Sequence, residues 1–203
     1  MAFLYSKWTG FMNYMYDWAM RASRSKYALY VLAVISFVES SFFPIPPDIL
    51  LIPMILAARQ RAWLIAGVCT IASVMGGWFG YAIGMFLYDV LALPILEFYG
   101  YVAKFDEFRQ YYNDWGAWIV FGAGITPFPY KVITIASGVS GLDIWTFSIA
   151  SILARGFRFF LIAALLWKYG KKMEDFVVKN LGWLSILFFV LLLGGFVLIK
   201  YVI

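Results

Sequence analysis

The strongest constraint on this chain is a run of 27 residues, 62–88, that carries no charged side chain. At about 1.5 Å per residue a helix of this length reaches roughly 40 Å, enough to cross the ~30 Å hydrocarbon core of a bilayer with some tilt. The segments 143–167 and 182–202 are also long and apolar enough to cross. Because these runs far exceed the strands of a membrane barrel, the sequence predicts an all-α membrane protein with a single membrane domain over residues 1–203.

Composition excludes several other classes. Hydrophobic residues make up 64% of the chain and charged residues 13%, whereas soluble domains have about 45–50% and about 25%. There is no His, and the single cysteine, Cys69, lies within an apolar segment. The sequence therefore predicts no metal site, no cofactor, no catalytic residues and no enzyme. We interpret the net charge of +5 as membrane topology rather than nucleic-acid binding.

Prolines interrupt two further apolar stretches, 28–58 and 115–141. The interrupting residues are Pro44, Pro46 and Pro47 in the first stretch and Pro127 and Pro129 in the second. Proline ends a helix because it lacks the N–H and clashes with the preceding turn. The piece before the first break, 28–43, reaches only about 24 Å. Each stretch is therefore predicted to be a re-entrant hairpin with a proline tip. Such a helix break can lie at membrane depth only where protein surrounds it or where it lines a water-filled cavity.

Charge placement predicts the topology. Basic residues stand on both sides of the first hairpin: Arg21, Arg24 and Lys26 before it, Arg59 and Arg61 after it. A hairpin returns to its own side, so the positive-inside rule places all five, and the N-terminus, in the cytoplasm. Residues 89–114 have a net charge of −3 and are predicted to form an outer loop or amphipathic helix. The second hairpin then enters from outside, and 143–167 returns inward.

Residues 1–26 are predicted to form an amphipathic helix at the membrane interface. Five large apolar residues recur at helical spacing there: Leu4, Trp8, Phe11, Met15 and Trp18. Such a face, rich in aromatic residues, suits the interface better than the hydrocarbon core.

The two hairpins resemble repeats of one unit. Pro44 and Pro127 are 83 residues apart, as are Asp48 and Lys131. Entry from opposite faces makes this an inverted-topology repeat, with a binding site where the two broken segments meet. Glycines 76, 80 and 84 recur at spacings of four in segment 62–88, which indicates close helix packing within the monomer or in a homo-oligomer.

Five charged residues lie within apolar stretches: Glu39, Asp48, Lys131, Arg155 and Arg158. Each costs at least about 2.5–3.5 kcal/mol at bilayer depth, so they must be paired or hydrated. One interpretation is that the arginines only hold the bundle together through buried ion pairs with Glu39 and Asp48. A separate interpretation is that Asp48 and Lys131 only cap half-helices. The functional interpretation is a hydrated cavity whose arginines bind an anionic headgroup and whose carboxylates exchange protons. It predicts that Arg155→Ala or Arg158→Ala abolishes transport and leaves folding intact.

Two motifs resemble the signatures of the DedA family, whose members carry the SNARE-associated or VTT domain. The first is the segment from Glu39 through the proline break to Asp48, and the second runs from Gly124 through Tyr130 and Lys131 to Gly138. Gly124 and Tyr130 stand where the family motif has arginines, and Lys131, Arg155 and Arg158 are the candidate replacements. With these replacements in the second motif and its short length, the chain resembles the YqaA-like branch of the family.

The resemblance implies a multi-pass protein of the bacterial inner membrane that transports lipids. Family members are associated with undecaprenyl phosphate or phospholipids and with the proton motive force. The predicted partners are thus a lipid with a phosphate headgroup and protons, and Tyr130 joins the five charged residues as a candidate site residue. The alternatives are a proton-coupled antiporter of a small ion, a lipid-phosphate enzyme, which lacks an obvious nucleophile, and a structural membrane partner that would tolerate Glu39→Gln.

Overall fold

The computed structural model describes residues 27–42, 46–126 and 128–170, and all regular structure within them is helical. This confirms the all-α prediction for the described residues. The elements are α1 Ala28–Ser41, α2 Asp48–Ala57, a 3₁₀ turn Arg59–Arg61, α3 Ala62–Leu87, a π-helical turn Tyr88–Ala92, α4 Leu93–Tyr99, α5 Val102–Ile125, α6 Tyr130–Ser140 and α7 Ile144–Tyr169. The predicted interfacial helix, the predicted span 182–202, Pro44 and Pro127 lie outside the described residues.

Two helical stretches are long and apolar enough to cross a membrane. The first is α3 with its flanking turns and α4, Arg59–Tyr99, and the second is α7. Each stretch contains an 18-residue apolar segment. Only 17% of this segment is buried inside the protein in the first stretch, and 39% in the second. Both therefore present most of their apolar side chains outward, unlike the core helix of a soluble protein.

The proline segments separate helices in the described residues. Helix α1 ends at Ser41 and α2 begins at Asp48, directly after Pro47. Helix α5 ends at Ile125 and α6 begins directly after Pro129. The first residues of α2 and α6 are 82 positions apart, and so are those of α3 and α7. The same order of helix, proline segment, short helix and long helix thus occurs twice.

Helix α5 differs from the predicted division of the chain at residue 114. It continues without interruption from Val102 to Ile125, because no proline or helix-ending glycine conformation occurs within it. The chain instead turns at Gly100, whose φ of 69° lies in the left-handed region. The N–H of Tyr101 donates to the carbonyl of Leu96 at 2.9 Å, as in a Schellman end. The predicted outer segment and the first arm of the second predicted hairpin therefore share one helix.

Helices α3 and α7 run in opposite directions through the centre. The first half of α3 and the last half of α7 share one apolar cluster with α1 and α2, which includes Cys69 and Phe159. The last half of α3 and the first half of α7 share a second cluster with α5 and α6, which includes Tyr81 and Phe147. Between the clusters lies a group of polar side chains, most of them buried. We call this set the polar layer: Glu39, Ser40, Ser73, Tyr130, Thr134, Ser151 and Arg155.

Glycines of α3 let neighbouring helices approach closely. A Cβ on Gly76 would collide with the backbone of Phe37 in α1, and one on Gly84 with the backbone of Ile135 in α6. A Cβ on Gly80 would collide with the side chain of Thr134. The spacing of four seen in the sequence therefore serves packing within the chain.

This packing predicts different effects for two Gly→Ala changes in α3. Gly84→Ala should lower the free energy of unfolding by about 1–3 kcal/mol, because helix backbones must move apart. Gly67→Ala is the matched control, because nothing lies within 4 Å of its added Cβ. SDS titration in mixed micelles, followed by circular dichroism, measures both. Equal stability of the two variants would contradict the close approach of α6 to α3.

Candidate functional site

Arg155 lies in the polar layer, and 2% of its surface is exposed. It is the one charged residue that is buried among the residues that the structure describes. It is the twelfth of the 26 residues of α7, so neither end of the helix is close. Its Nη2 donates to Oε2 of Glu39 at 2.5 Å and to Oγ of Ser40 at 3.0 Å. Its Nε donates to Oγ of Ser73 at 2.5 Å. Side chains of α1 and α3 thus bind the edge of the guanidinium group.

Aromatic rings cover the faces of the same guanidinium group. Its Cζ lies 4.4 Å from the ring centroid of Tyr130 and 5.1 Å from that of Phe159. The hydroxyl of Tyr130 donates to Oγ of Ser151 at 2.5 Å, which holds the ring against the arginine. Such stacking stabilises a cation that has lost its hydration. The guanidinium group of Arg155 is therefore enclosed by protein, whereas 16% of the Glu39 side chain is exposed. We call Arg155 and Glu39 the buried pair.

Arg158 lies almost one helical turn after Arg155. Its Nη2 donates to Oδ2 of Asp48 at 2.5 Å, and its Nη1 donates to the backbone carbonyl of Thr126 at 3.2 Å. Asp48 is the first residue of α2, and Thr126 directly follows α5. One guanidinium group thus contacts the chain at both proline segments. We call Asp48 and Arg158 the accessible pair.

The two pairs differ in exposure and in hydrogen bonding. The exposed side-chain fractions are 23% for Arg158 and 20% for Asp48, against 2% for Arg155 and 16% for Glu39. Oδ1 of Asp48 is buried and accepts no hydrogen bond from the described residues. An unpaired buried acceptor is uncommon and costs free energy. The carboxylate of Asp48 is therefore less well stabilised than that of Glu39, which also accepts a hydrogen bond from Ser40.

Lys131 stands apart from both pairs. It is the second residue of α6, and its side chain is half-buried. Its ammonium group makes no ion pair or hydrogen bond within the described residues, although its backbone carbonyl accepts from Thr134. The structure therefore joins four of the predicted site residues in two ion pairs and stacks Tyr130 on one of them, and Lys131 has no ion-pair partner among the described residues.

Sequence reasoning missed the neutral members of the polar layer. Ser73, Ser40 and Thr134 connect α3, α1 and α6, and the hydroxyl of Thr134 donates to the carbonyl of Ser40 at 3.1 Å. One signal was present for Ser73, because it stands 82 residues before Arg155, the offset that separates α3 from α7. Ser73 and Arg155, at corresponding positions of α3 and α7, are hydrogen-bonded to each other.

Comparison with known proteins places the chain among close relatives. It is 38% identical to an uncharacterized protein of Haemophilus influenzae over 172 residues, which cover 83% of this chain and 89% of the relative. It is 32% identical to the uncharacterized protein HI0703 homolog of Histophilus somni, over 83% of this chain and 90% of the relative. The chain belongs to the family of these two proteins. No family model matches the chain, and no solved structure matches it either.

Because Arg155 is buried and paired, we now expect its substitution to destabilise the fold, in contrast to the expectation that Arg155→Ala leaves folding intact. Arg155→Met should lower the free energy of unfolding by about 3–5 kcal/mol, because it leaves the Glu39 carboxylate without its cation. The double variant Glu39→Met/Arg155→Met should recover most of this loss, since no charge is then left unpaired.

Lys168→Met is the control, because Lys168 is exposed near the end of the same helix. SDS titration of all four proteins in mixed micelles measures the effect. The buried pair would not be the stabilising contact if Arg155→Met and Lys168→Met unfolded at the same SDS fraction.

Proposed function

We propose that this chain is a multi-pass transporter of the bacterial inner membrane that moves lipids with a phosphate headgroup, linked to proton exchange. Undecaprenyl phosphate and phospholipids are the lipid classes implied by its resemblance to the DedA family. The proposal includes two re-entrant hairpins of inverted topology, one formed by α1 and α2 and the other by the end of α5 and α6.

Helix lengths support the hairpins. Helix α1 has 14 residues and α2 has 10, so they reach about 21 Å and 15 Å. Neither length crosses a ~30 Å hydrocarbon core. In α5 the uncharged part, 115–125, is comparably short, and α6 has 11 residues. Helix breaks at membrane depth need protein or water around them. Contacts of Arg158 at both proline segments meet this need.

One observation carries the functional proposal: the guanidinium group of Arg158 is partly exposed where the two proline segments come together. Arginine binds phosphate through two parallel charge-assisted hydrogen bonds. The positive charge of Lys131, which forms no ion pair with the described part of the chain, adds to the attraction for an anion. The acyl chains of such a lipid would stay against the apolar outer surface of α3 and α7.

The carboxylates supply a route for linkage to protons. Each arginine of the site is held by one carboxylate in the present structure. A proton on the carboxylate removes its negative charge and frees the arginine for another anion. The motif that contains both acids, from Glu39 to Asp48, is also the segment that most resembles the family.

Transport in proteoliposomes tests the proposal. We expect the purified protein to move fluorescent phospholipid or undecaprenyl phosphate between leaflets, faster with a pH gradient than without one. Arg158→Gln should reduce the rate about tenfold or more, since hydrogen bonds to charged groups contribute about 1.5–3 kcal/mol. Lys131→Gln should reduce it by a smaller factor.

Lys104→Gln is the matched control, because Lys104 is exposed near the start of α5 and outside the site. Unchanged lipid transport by Arg158→Gln would remove the site from the mechanism. Absence of lipid movement by the folded wild-type protein, with counterflow of a soluble ion against protons, would establish the small-ion antiporter instead.

A further inference from the structure

The two arginine–carboxylate pairs have different roles in the mechanism. We infer that a proton and a phosphate headgroup exchange at the accessible pair, Asp48 and Arg158, while the buried pair remains closed. This inference rests on the proposed function. It assigns proton linkage to Asp48, and it assigns to Glu39 the role of holding Arg155.

Hydrogen bonding separates the two acids. The carboxylate of Glu39 receives Nη2 of Arg155 and the hydroxyl of Ser40, and Arg155 is itself bound by Ser73 and stacked by Tyr130. To free Arg155 for a ligand, α1, α3 and α6 would have to separate. The carboxylate of Asp48 receives Arg158 alone, and its Oδ1 is unpaired within the described residues. Asp48 can therefore change partners at a smaller cost in lost contacts.

Charge balance requires the exchange to be coupled. Arg158 and the Asp48 carboxylate form a neutral pair, and a phosphodiester brings one negative charge. If Asp48 stayed ionised, two anions would face one guanidinium group in a partly buried site, which is costly. A proton from water on the Asp48 carboxylate keeps the site neutral, and the new O–H can donate to the phosphate. One proton thus enters with each headgroup and leaves when Arg158 returns to Asp48.

No other charged group of the neighbouring described helices pairs with the Asp48 carboxylate in place of Arg158. Helix α7 contributes Arg155 and Arg158, and α1 contributes Glu39, which Arg155 already holds. Helix α3 contains no charged residue, and the titratable group that it brings into contact with α1 is the buried thiol of Cys69. Arg59 and Arg61 of the 3₁₀ turn are exposed beyond the opposite end of α2. Arg158 is thus the cation bound to the Asp48 carboxylate.

Proton uptake on ligand binding tests the inference with the full chain in a neutral detergent. The probes are dihexanoyl phosphatidylglycerol and dimethyl phosphate, a lipid and a free phosphodiester. Both keep one fixed charge from about pH 6 to about pH 8, so any proton taken up enters the protein. Calorimetric titration in two buffers of different ionisation enthalpy counts the protons per bound ligand.

We expect wild type to take up about one proton per lipid bound, and binding to weaken about tenfold for each unit of rising pH. Asp48→Asn should bind without proton uptake and independently of pH, because an amide does not take up a proton in this pH range. Its amide oxygen can still accept from Arg158 in the empty site, so the fold should be kept. Asp48→Glu should restore the uptake. The double variant Glu39→Met/Arg155→Met, which leaves no charge of the buried pair unpaired, should retain the uptake; loss of the uptake in this folded variant would show that the two acids share the role.

Failures of the two proposals differ in this experiment. Lipid binding by wild type without proton uptake, or with uptake that persists in Asp48→Asn, would overturn the exchange and leave the lipid site intact. Binding of dimethyl phosphate with proton uptake, but of no lipid probe, would support the exchange and overturn the lipid substrate. Binding of neither probe by the folded wild type would overturn both.

Discussion

The burial of Arg155 halfway along α7 determines the arrangement around it. A guanidinium group there is far from either end of its helix, so it needs partners from the protein. Glu39, Ser40 and Ser73 bind its edge, and Tyr130 and Phe159 cover its faces. These partners come from α1, α3, α6 and α7. Removing the cation would leave a carboxylate and several hydroxyl groups without compensation between two apolar clusters.

The accessible pair lies close to the buried pair. Arg155 binds Glu39 near the end of α1, and Arg158, three residues further along α7, binds Asp48 at the start of α2. Arg158 also contacts the carbonyl of Thr126. A stable ion pair thus lies next to a second pair that is partly exposed and incompletely hydrogen-bonded. This division between a structural pair and an exchangeable pair is the physical basis of the proposed transport mechanism.

The sequence predicted the helical class, the positions of the helix breaks and the charged residues that meet. Prolines limit backbone conformation locally, so Pro47 and Pro129 mark the starts of α2 and α6 without tertiary information. Charges in apolar segments need partners, which made ion pairs with Arg155 and Arg158 predictable. The sequence could not distinguish the two pairs, since both combine one acid and one arginine. Their difference arises from Ser40, Ser73 and Tyr130, whose contacts depend on helix packing.

The boundary at residue 114 was not predictable for a related reason. Charge density falls near Trp115, which indicated a change of environment, but a helix can pass from a polar to an apolar environment without a break. Helix α5 does so, and Gly100, with its left-handed conformation, supplies the turn instead. Apart from the 82-residue offset between Ser73 and Arg155, the serines of the polar layer gave no distinct signal. Serine hydroxyls in apolar helices often bond to their own helix, as Ser41 does to Phe37.

The proposed transport mechanism requires water to reach Arg158, beside the two helix breaks, at membrane depth. Spin labels at Thr126→Cys and Ile152→Cys, in a Cys69→Ala background and in lipid bilayers, test it by power saturation with oxygen and a water-soluble nickel chelate. Thr126 is exposed beside Arg158, and Ile152 is exposed on the apolar surface of α7. The account predicts strong nickel access at position 126 and oxygen access alone at position 152. Nickel access at both positions, or at neither, would contradict it.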